Sequence, residues 1–419
     1  MDELKQKTID RAVLVGLNAD CFAPDETSTE KTLDELEALL ETAGGVCVGK
    51  ILQNKHTPDP HSYIGEGKAA EVRTLAQETG ASMVIFDNDL TPSQIRALEG
   101  LTDKIVLDRS ALILDIFAQR AKTREGKLQV ELAQYQYYLP RLTVWNEEMG
   151  RLGGGIGTRG PGETQLETDR RYIRSRIQKL REDLEEVRKV RAVQRQRRQK
   201  NDVPVVALVG YTNAGKSTLL NRLTGADIPA NNRLFDTLDT TTRQLTVSDT
   251  CEALLSDTVG FIAKLPHHLV EAFKATLEEL QYADLLIHVI DASDPEREAH
   301  MRVVEKLIAE LAKPGVPVIE CYNKCDLAQN FIPHGETIAA ISAKTGEGVD
   351  ELLKTIERQL DRGKRQVRLC LPYSMGGQVD VLHSQAKVLS CRYEADGIEV
   401  EAIVDETLYG RIRQYIIEE

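Results

Sequence analysis

The stretch that most constrains the fold of this chain is 203–220, which reads VPVVALVGYTNAGKSTLL. A short apolar run leads directly into a glycine-rich loop, and a helix-compatible pattern follows it. This order is typical of a phosphate-binding loop, because the backbone N–H groups of such a loop point inward at the positive end of the helix dipole. A chance glycine-rich turn is the alternative, which the flanking strand and helix disfavour.

The spacing within this loop follows from phosphate chemistry. Gly210 and Gly215 allow the tight turn. Lys216 is predicted to reach the β- and γ-phosphates, and the Ser217 hydroxyl is predicted to ligate Mg²⁺. The residues predicted to surround the phosphates are Gly210, Tyr211, Thr212, Asn213, Ala214, Gly215, Lys216, Ser217 and Thr218.

Length and composition favour a soluble protein of several domains. The chain has 419 residues, of which 41% are hydrophobic and 28% charged, and its net charge is −13. It shows neither a signal peptide nor an apolar run long enough to cross a membrane. The seven cysteines are scattered, as in a cytosolic protein with reduced thiols. Taken alone, the acidic total argues against binding to nucleic acid, although a whole-chain sum can hide a local basic stripe, and no DNA partner is expected.

The first part of the chain, predicted as a domain over 1–110, alternates short apolar runs with helical spacing. Alternation of this kind predicts a parallel sheet covered by helices. No phosphate loop or catalytic constellation occurs here. The strands are predicted at 12–17, 46–52, 83–86 and 105–107, and the helices at 31–42, 67–79 and 92–98.

Two long helical patterns follow, from about 111 to 142 and from 165 to about 200, within a segment predicted as 111–202. Each carries apolar residues at alternating spacings of four and three, which predicts an antiparallel helical hairpin. Thr164 and Glu167 fit a capping box at the start of the second helix. The predicted seam is Leu128, Leu132, Tyr135, Leu139 and Leu142 against Ile173, Ile177, Leu180, Leu184 and Val187.

The hairpin carries two basic features that favour RNA. Its tip, 149–162, is rich in glycine and contains two arginines and no acid, which suits close approach of the backbone to phosphates. A plain linker is the alternative. The end of the second helix carries seven positive charges within 188–200, where a solvated basic face is the alternative. The RNA-contact candidates are Arg151, Gly153, Gly154, Gly155, Arg159, Arg195, Arg197 and Arg198.

Strands and helices alternate again over the predicted domain 203–365. Two further motifs in this domain are typical of proteins that bind a nucleoside triphosphate. The run Asp257, Thr258, Val259 and Gly260 ends a strand. There Asp257 would hold Mg²⁺ through water and the Gly260 N–H would face the γ-phosphate. The loop 235–243 offers four threonines, any of which could close on Mg²⁺ and the γ-phosphate as a first switch.

The motif that selects the base is Asn323, Lys324, Cys325 and Asp326, at the end of another predicted strand. The Asp326 carboxylate can accept hydrogen bonds from guanine N1–H and the 2-amino group. Adenine leaves it unpaired, a preference on the order of 10⁴-fold by analogy with other hydrogen-bond-reading sites. Lys324 would lie along the base, and the run Ser342, Ala343 and Lys344 would present an N–H to guanine O6. These motifs together predict GTP binding.

Hydrolysis without a partner is expected to be slow. Many GTPases place a glutamine directly after the DxxG run to orient water, whereas this chain has Phe261. A partner that orders the switches should accelerate turnover. Asn213 is predicted either to ligate K⁺ beside the phosphates or to stabilise the turn, and the two interpretations stand equal.

The last segment, predicted as a domain over 366–419, reads as a small α+β unit whose function the sequence does not reveal. Strands are predicted at 367–371, 388–393 and 398–403, with helices near 375–384 and 406–417. The predicted fold class is therefore α/β, with a phosphate-loop domain that follows a parallel α/β domain and a helical hairpin and precedes this unit.

The chain resembles the HflX family of GTPases over most of its length, and the run GGGIGTRGPGE is specific to that family. The matching runs include YIGEGKAAEV (63–72), GGGIGTRGPGETQLETDRR (153–171), GYTNAGKS (210–217), TLDTTTR (237–243) and DTVGF (257–261). Asp236 replaces the small residue of many relatives, and 146–149 departs from the usual Arg-Gln.

The resemblance implies a cytoplasmic, ribosome-associated GTPase that binds the large subunit and splits stalled or stress-inactivated ribosomes. It places the Mg²⁺-binding threonine at Thr237, which makes Lys216, Thr237 and Gly260 the candidate catalytic residues. The switch residues carried over from the family are Phe235, Asp236, Thr237, Leu238 and Asp239.

Two rival functions stay open at this stage. In one, the chain is a binding module in which GTP is a clamp and the arm holds RNA with little turnover. In the other, it is an ATP-using RNA remodeller that works through the N-terminal domain, although no phosphate loop lies there. We expect a monomer, and peripheral association with a membrane stays open.

Overall fold

The fold was obtained as a computed structural model, which describes residues 9–22, 28–142, 161–199, 203–226, 234–235, 241–248, 251–264, 280–328, 333–361, 364–394 and 397–418. These residues form three sheets of four, six and four strands, with helices packed against them. No helix within these ranges combines the length and the apolar character that crossing a bilayer needs.

The N-terminal sheet is parallel throughout, with the strand order β2-β1-β3-β4. The inner strand Arg11–Ala19 is apolar and buried over most of its length, because helices cover both faces of a parallel sheet. Thr29 and Thr91 begin two of the covering helices with capping boxes. The elements are β1 Arg11–Ala19, α1 Glu30–Ala43, β2 Val46–Lys55, α2 Glu66–Glu78, β3 Met83–Phe86, α3 Pro92–Thr102 and β4 Ile105–Asp108.

The first long helix of the predicted hairpin is in fact two helices, α4 Arg109–Arg120 and α5 Arg124–Tyr138. The prediction of one helix from about 111 to 142 was therefore wrong. The backbone is extended at Ala121, and Thr123 then caps the second helix by accepting a hydrogen bond from the Gly126 N–H at 2.9 Å. A new cap of this kind starts a separate helix even though the apolar spacing continues.

The hairpin itself is antiparallel and pairs α5 with the 39-residue helix α6, Pro161–Gln199. Ion pairs fix the direction, because Arg176 contacts Glu131 whereas Arg191, further along α6, contacts the earlier Glu125. Most of the predicted seam packs together as Leu128, Leu132, Tyr135 and Leu139 with Ile173, Ile177, Leu180 and Leu184.

The start of α6 differs from the prediction. The helix begins at Pro161, so Thr164 lies inside it and is not its N-cap. Proline at the first helical position needs no hydrogen-bond partner and has the φ that a helix requires, which explains the earlier start. The tip loop between α5 and α6 lies mostly outside the described residues.

The central sheet has the order β10-β9-β8-β5-β7-β6, and only β6 is antiparallel to its neighbour. The carboxyl ends of its parallel strands therefore meet at one edge, the usual position of ligand sites in α/β sheets. The elements are β5 Val205–Gly210, α7 Lys216–Thr224, β6 Thr241–Ser248, β7 Cys251–Asp257, β8 Leu285–Asp291, α8 Arg297–Leu311, β9 Val318–Asn323, β10 Ile338–Ala340 and α9 Val349–Leu360.

The C-terminal sheet is antiparallel, with the order β12-β13-β11-β14, and its chain order of elements is βαββαβ. The prediction of a helix to residue 417 was wrong at its end. The helix stops at Ile412, and Ile416–Glu418 pairs with the edge of β11 instead. The elements are β11 Lys364–Leu371, α10 Gly376–Gln385, β12 Lys387–Glu394, β13 Gly397–Asp405, α11 Glu406–Ile412 and β14 Ile416–Glu418.

The N-terminal and central sheets share one hydrophobic core. Helix α4 contributes Leu112 and Phe117, which pack in the same cluster as Phe235 and Phe261 from the central part of the chain. The rings of Phe117 and Phe235 meet edge to face, with centroids 4.7 Å apart. The loop that the sequence marked as a first switch is therefore anchored on the N-terminal part at its first residue.

Candidate nucleotide-binding site

The glycine-rich loop connects β5 to α7 at the carboxyl edge of the central sheet. Gly215 has a φ of +93°, and a Cβ there would lie 2.3 Å from the Asn323 side-chain nitrogen. Only glycine fits both the left-handed backbone and this close approach. The loop therefore packs at Gly215 directly against Asn323, at the end of the strand that carries the predicted base-reading motif.

The Lys216 side chain is buried inside the loop, where its ammonium donates to the Gly210 carbonyl at 3.0 Å and to the Tyr211 carbonyl at 2.8 Å. An ammonium has three donors, so one remains for a phosphate oxygen. Burial lowers the pKa of Lys216 to about 8, and the nearby Asp257 carboxylate opposes this shift. A bound phosphate would return the pKa toward its ordinary value.

A hydroxyl and a carboxylate lie side by side next to this lysine. Ser217 donates to Asp257 at 2.8 Å, and Asp257 is only 1% exposed. Hard oxygen donors of this kind suit Mg²⁺, which keeps several waters and takes few protein ligands. The pair fits the ion through the Ser217 hydroxyl and the Asp257 carboxylate. Within the described ranges no cluster of three or more His, Cys, Asp or Glu side chains suggests a different metal site.

The DxxG run leaves β7 and lies directly on the glycine-rich loop. The Phe261 N–H donates to the Gly210 carbonyl at 3.1 Å, and the Thr212 N–H donates to the Phe261 carbonyl at 2.7 Å. A Cβ on Gly260 would lie 2.9 Å from Thr212 and 3.0 Å from the Lys216 ammonium. Gly260 is therefore held against the lysine by two backbone hydrogen bonds made by the residue that follows it.

The side chain of Phe261 is 1% exposed and belongs to the shared hydrophobic core. It packs there with its neighbours Val259 and Ile262. A polar side chain that orients water is therefore absent from this position, since the residue there is a phenylalanine whose ring is buried in apolar surroundings.

Asn323, at the end of β9, joins two loops of the site. Its side-chain amide donates to the Ala214 carbonyl at 2.8 Å, and its side-chain oxygen accepts from the Ala343 N–H at 2.9 Å. The side chain is 2% exposed, so both partners depend on it. Asn323 therefore sets the distance between the phosphate loop and the 342–344 loop.

The rest of the base-reading motif is arranged around this asparagine. The Lys324 ammonium pairs with Asp291 at 2.6 Å, and the Cys325 N–H donates to the Ile341 carbonyl. Asp326 is exposed, which leaves its carboxylate open to a base. The fully buried Ser342 hydroxyl accepts from the Thr345 N–H at 3.2 Å.

Arg222 and His288 are two residues of this site that the sequence did not single out. Arg222, on the helix after the loop, donates to the Ala343 carbonyl at 3.1 Å and to that of Lys344. His288, on β8, is 3% exposed, and burial together with the Lys216 charge lowers its pKa to about 4. Their types and spacing are ordinary, so no sequence signal marked either of them.

Some predicted residues lie outside the described part of the chain. They are Asp236, Thr237, Leu238 and Asp239 of the switch and Arg151, Gly153, Gly154, Gly155 and Arg159 of the tip. Arg195, Arg197 and Arg198 lie on helix α6. Asn213 has a left-handed φ of +59° and is exposed, and Thr212 beside it has a buried hydroxyl with no partner among the described residues.

A glycine-rich loop with a buried lysine, a serine–aspartate pair and an asparagine that joins the phosphate loop to the 342–344 loop together define a P-loop GTPase. The chain matches three family models: "GTP-binding GTPase N-terminal" over 30–118, "GTP-binding GTPase Middle Region" over 120–198 and "50S ribosome-binding GTPase" over 205–324. It belongs to the HflX family of GTPases, and it binds and hydrolyses GTP.

Relatives named GTPase HflX align along almost the whole chain. The relative from Caldanaerobacter subterraneus subsp. tengcongensis is 48% identical over 418 residues, covering 100% of this chain and 96% of its own. That from Lacrimispora saccharolytica is 46% identical, covering 96% and 95%. A solved GTP-binding protein from the archaeon Sulfolobus solfataricus, in complex with GDP, is 23% identical, with coverages of 84% and 99% and a TM-score of 0.43.

Proposed function

We propose that this chain is a Mg²⁺-dependent GTPase that turns over slowly alone and is stimulated by the large ribosomal subunit. We further propose that it splits or rescues stalled ribosomes under stress. The observation that carries the proposal is the burial of Phe261, which leaves no water-orienting side chain after Gly260. A partner must therefore complete the hydrolytic site. The family model over 205–324, described as a 50S ribosome-binding GTPase, supports the choice of partner.

The chemistry assigned to the chain's own residues is mostly positioning. Lys216 offers its third N–H to the β- and γ-phosphate oxygens, and the Gly260 N–H beside it meets the γ-phosphate. Ser217 and Thr237 would hold Mg²⁺ directly and Asp257 would hold it through water, and the ion would supply positive charge against the charge that develops on the phosphates. Thr237, at the switch, would join the ion when GTP is bound.

Guanine is selected at the ends of β9 and β10. Asp326 accepts the two N–H groups of the guanine edge, and the Lys324 stem lies along the ring because Asp291 holds its ammonium. The Ala343 N–H already donates to Asn323, which fixes the loop. The Ser342 N–H donates to the Glu347 carbonyl at 2.9 Å, so the Lys344 N–H is the one proposed to face guanine O6.

The hairpin is proposed as the arm that reaches ribosomal RNA. Helix α6 has 39 residues, hence a length of about 58 Å at 1.5 Å per residue. Its seam with α5 includes the fully buried Leu180 and supports the helix between Ile173 and Leu184. Arg151 and Arg159 belong to the tip, whereas Arg195, Arg197 and Arg198 belong to the opposite end of the helix. The two basic features would therefore contact RNA at separate points.

The test is GTP turnover by the full-length chain with and without purified large ribosomal subunits. We expect strong stimulation of the wild type and a much weaker one for the Arg151→Ala/Arg159→Ala double variant. The Arg171→Ala/Arg174→Ala variant is the matched control, because it removes the same charge from exposed positions on α6. Absence of stimulation of the wild type would contradict the proposal.

Two other outcomes are informative. An equal loss of ribosomal stimulation in the two double variants would show that net charge, and not the tip, causes the effect. Ribosome binding that depends on GTP but leaves turnover unchanged would favour a GTP-clamped binding module over a stimulated enzyme. A salt titration of ribosome binding would report the number of phosphate contacts that the arm makes, since each such contact steepens the dependence of affinity on salt.

Asn213 is the residue proposed to ligate a monovalent cation. Its side chain is exposed on a left-handed turn of the phosphate loop. We propose K⁺ there as an added positive charge beside the phosphates. Turnover in K⁺ compared with Na⁺, for the wild type and Asn213→Ala, tests it. Equal rates in both salts would leave Asn213 as a turn residue only.

A further inference from the structure

A buried cluster of charged groups lies at the carboxyl edge of the N-terminal sheet. Arg109, 1% exposed, donates to Asp87 at 2.7 Å and also pairs with Glu35. Asp87 is fully buried at the end of β3 and accepts a hydrogen bond from the Ser28 hydroxyl at 2.8 Å. The Glu35 and Asp87 carboxylates and the Arg109 guanidinium together leave this cluster with one negative charge.

The GTPase part of the chain supplies the missing positive charge. The Lys264 ammonium contacts the Asp87 carboxylate at 2.5 Å and the Ser28 hydroxyl at 3.1 Å, and the lysine side chain is only 9% exposed. Lys264 lies three residues after Phe261 and has a left-handed φ of +54°. Because an unpaired buried charge is costly, this contact holds the segment firmly.

A second contact fixes the same segment from the other side. The Tyr211 hydroxyl accepts from the Ala263 N–H at 2.7 Å and donates to Glu35. Its ring stacks on His300 with centroids 3.7 Å apart. Tyr211 belongs to the phosphate loop, so Glu35 of the N-terminal domain reaches both the loop and the segment after DTVGF through one hydroxyl.

These contacts form a continuous chain from Asp87 to the γ-phosphate position. Lys264 and Ala263 are tied to Asp87 and Tyr211, and Phe261 is tied by two backbone hydrogen bonds to the phosphate loop. Gly260 is thereby kept beside the Lys216 ammonium. In the site proposed above, the γ-phosphate is the group that meets the Gly260 N–H, so a triphosphate would make this contact and a diphosphate would not.

We propose that Asp87 and Lys264 are positioning residues for the GTP state: the N-terminal domain holds the segment after DTVGF so that Gly260 meets the γ-phosphate without further ordering. The domain therefore favours GTP over GDP. By linkage, the triphosphate strengthens the contact between the domains by the same factor. The inference depends on GTP binding and hydrolysis but not on the ribosome.

The test compares Lys264→Met, which keeps most of the apolar stem and removes the charge, with the wild type. We expect the Kd for a non-hydrolysable GTP analogue to rise about tenfold, as for loss of a charge-assisted hydrogen bond. The Kd for GDP should change by less than about twofold, since GDP makes no contact with Gly260. Lys264→Arg, which retains the charge, should restore most of the preference.

Lys31→Met is the matched control. Lys31 also pairs across the domains, with Glu296, but both side chains are largely exposed, at 64% and 41%, and neither belongs to the segment after DTVGF. Lys31→Met should leave the affinities for GDP and for the GTP analogue unchanged. Equal shifts for the two nucleotides, no shift for either, or the same result for Lys31→Met would overturn the proposal. These measurements use no ribosomes, so a failure of ribosomal stimulation leaves them decisive.

Asp87→Asn is the second variant with which the proposal is tested. If Asp87 acts through Lys264, the double variant should lose no more preference for GTP than either single variant. Asp87 also pairs with Arg109, so its variant must first show a cooperative unfolding transition. If that variant does not fold, Lys264→Met and Lys264→Arg still decide the question.

Discussion

Replacement of Asn323 by alanine should weaken the binding of GDP and GTP equally. The side chain makes two buried hydrogen bonds, to the Ala214 carbonyl at 2.8 Å and from the Ala343 N–H at 2.9 Å. Its removal leaves both backbone groups unpaired, at about 1–3 kcal/mol each. We take about 3 kcal/mol as the part felt on binding, which corresponds to an affinity loss of about 150-fold.

The loss of affinity should be equal for GDP and GTP because of the two loops that Asn323 joins. Asn323 connects the phosphate loop to the 342–344 loop, and neither bond touches the γ-phosphate side at Gly260. Fluorescence titration with labelled GDP and a labelled GTP analogue measures both Kd values. Urea unfolding should also show a lower free energy of unfolding, because the two hydrogen bonds exist without nucleotide.

The matched control is Thr355→Ala. Thr355 is buried in the same domain, and its hydroxyl donates only within its own helix, to the Glu351 carbonyl at 2.9 Å. It should lower stability with little change in either Kd. An affinity loss below about threefold for Asn323→Ala, or a loss for GTP alone, would refute the bridging role.

Three further outcomes are expected. Burial holds the pKa of Lys216 at about 8, so a bound phosphate that raises it makes binding take up a proton above that pH. Affinity should therefore fall as the pH rises through 8, and calorimetry at pH 9 in two buffers should reveal the uptake; no uptake would contradict it. Asp326→Asn should weaken GTP binding by about a hundredfold or more and favour xanthosine triphosphate, whose 2-oxo group can accept from the amide, in a competition titration. Leu180→Ala should destabilise the hairpin by about 2–5 kcal/mol, seen as faster amide exchange in α5 and α6 with unchanged nucleotide affinity.

The elements of the nucleotide site were predictable because each motif follows a strand. The carboxyl ends of parallel strands meet at one edge, so DTVGF, the phosphate loop and the Asn323 run come together as their order along the chain suggests. The hairpin seam was likewise visible, because the alternating spacing of four and three survives along both helices. Local periodicity carries this kind of information.

The errors arose where local patterns compete. The helical pattern runs from about 111 to 142 in the sequence, although a new N-cap at Thr123 divides the helix. The box at Thr164 looked like a helix start, but Pro161 begins the helix earlier. The short run at 416–418 is helical or extended by pattern alone, and its pairing with β11 is a distant contact. Periodicity cannot decide such short runs.

The charged contact between the domains could not be read from the sequence at all. Glu35, Asp87, Arg109 and Lys264 are of ordinary type and lie far apart along the chain. None forms a motif with its sequence neighbours. Their meeting depends on how two sheets with different strand orders face each other at their carboxyl ends.

The contact between Asp87 and Lys264 also has a consequence for synthesis of the chain. The two residues are 177 positions apart, and at about 5–20 residues per second roughly 9–35 s separate their emergence. During that interval the nascent N-terminal sheet can be complete while its carboxyl edge still lacks the lysine. The junction between the domains is therefore the late-closing part of the fold. A pause in translation between these residues would prolong the time that this acidic edge spends uncovered.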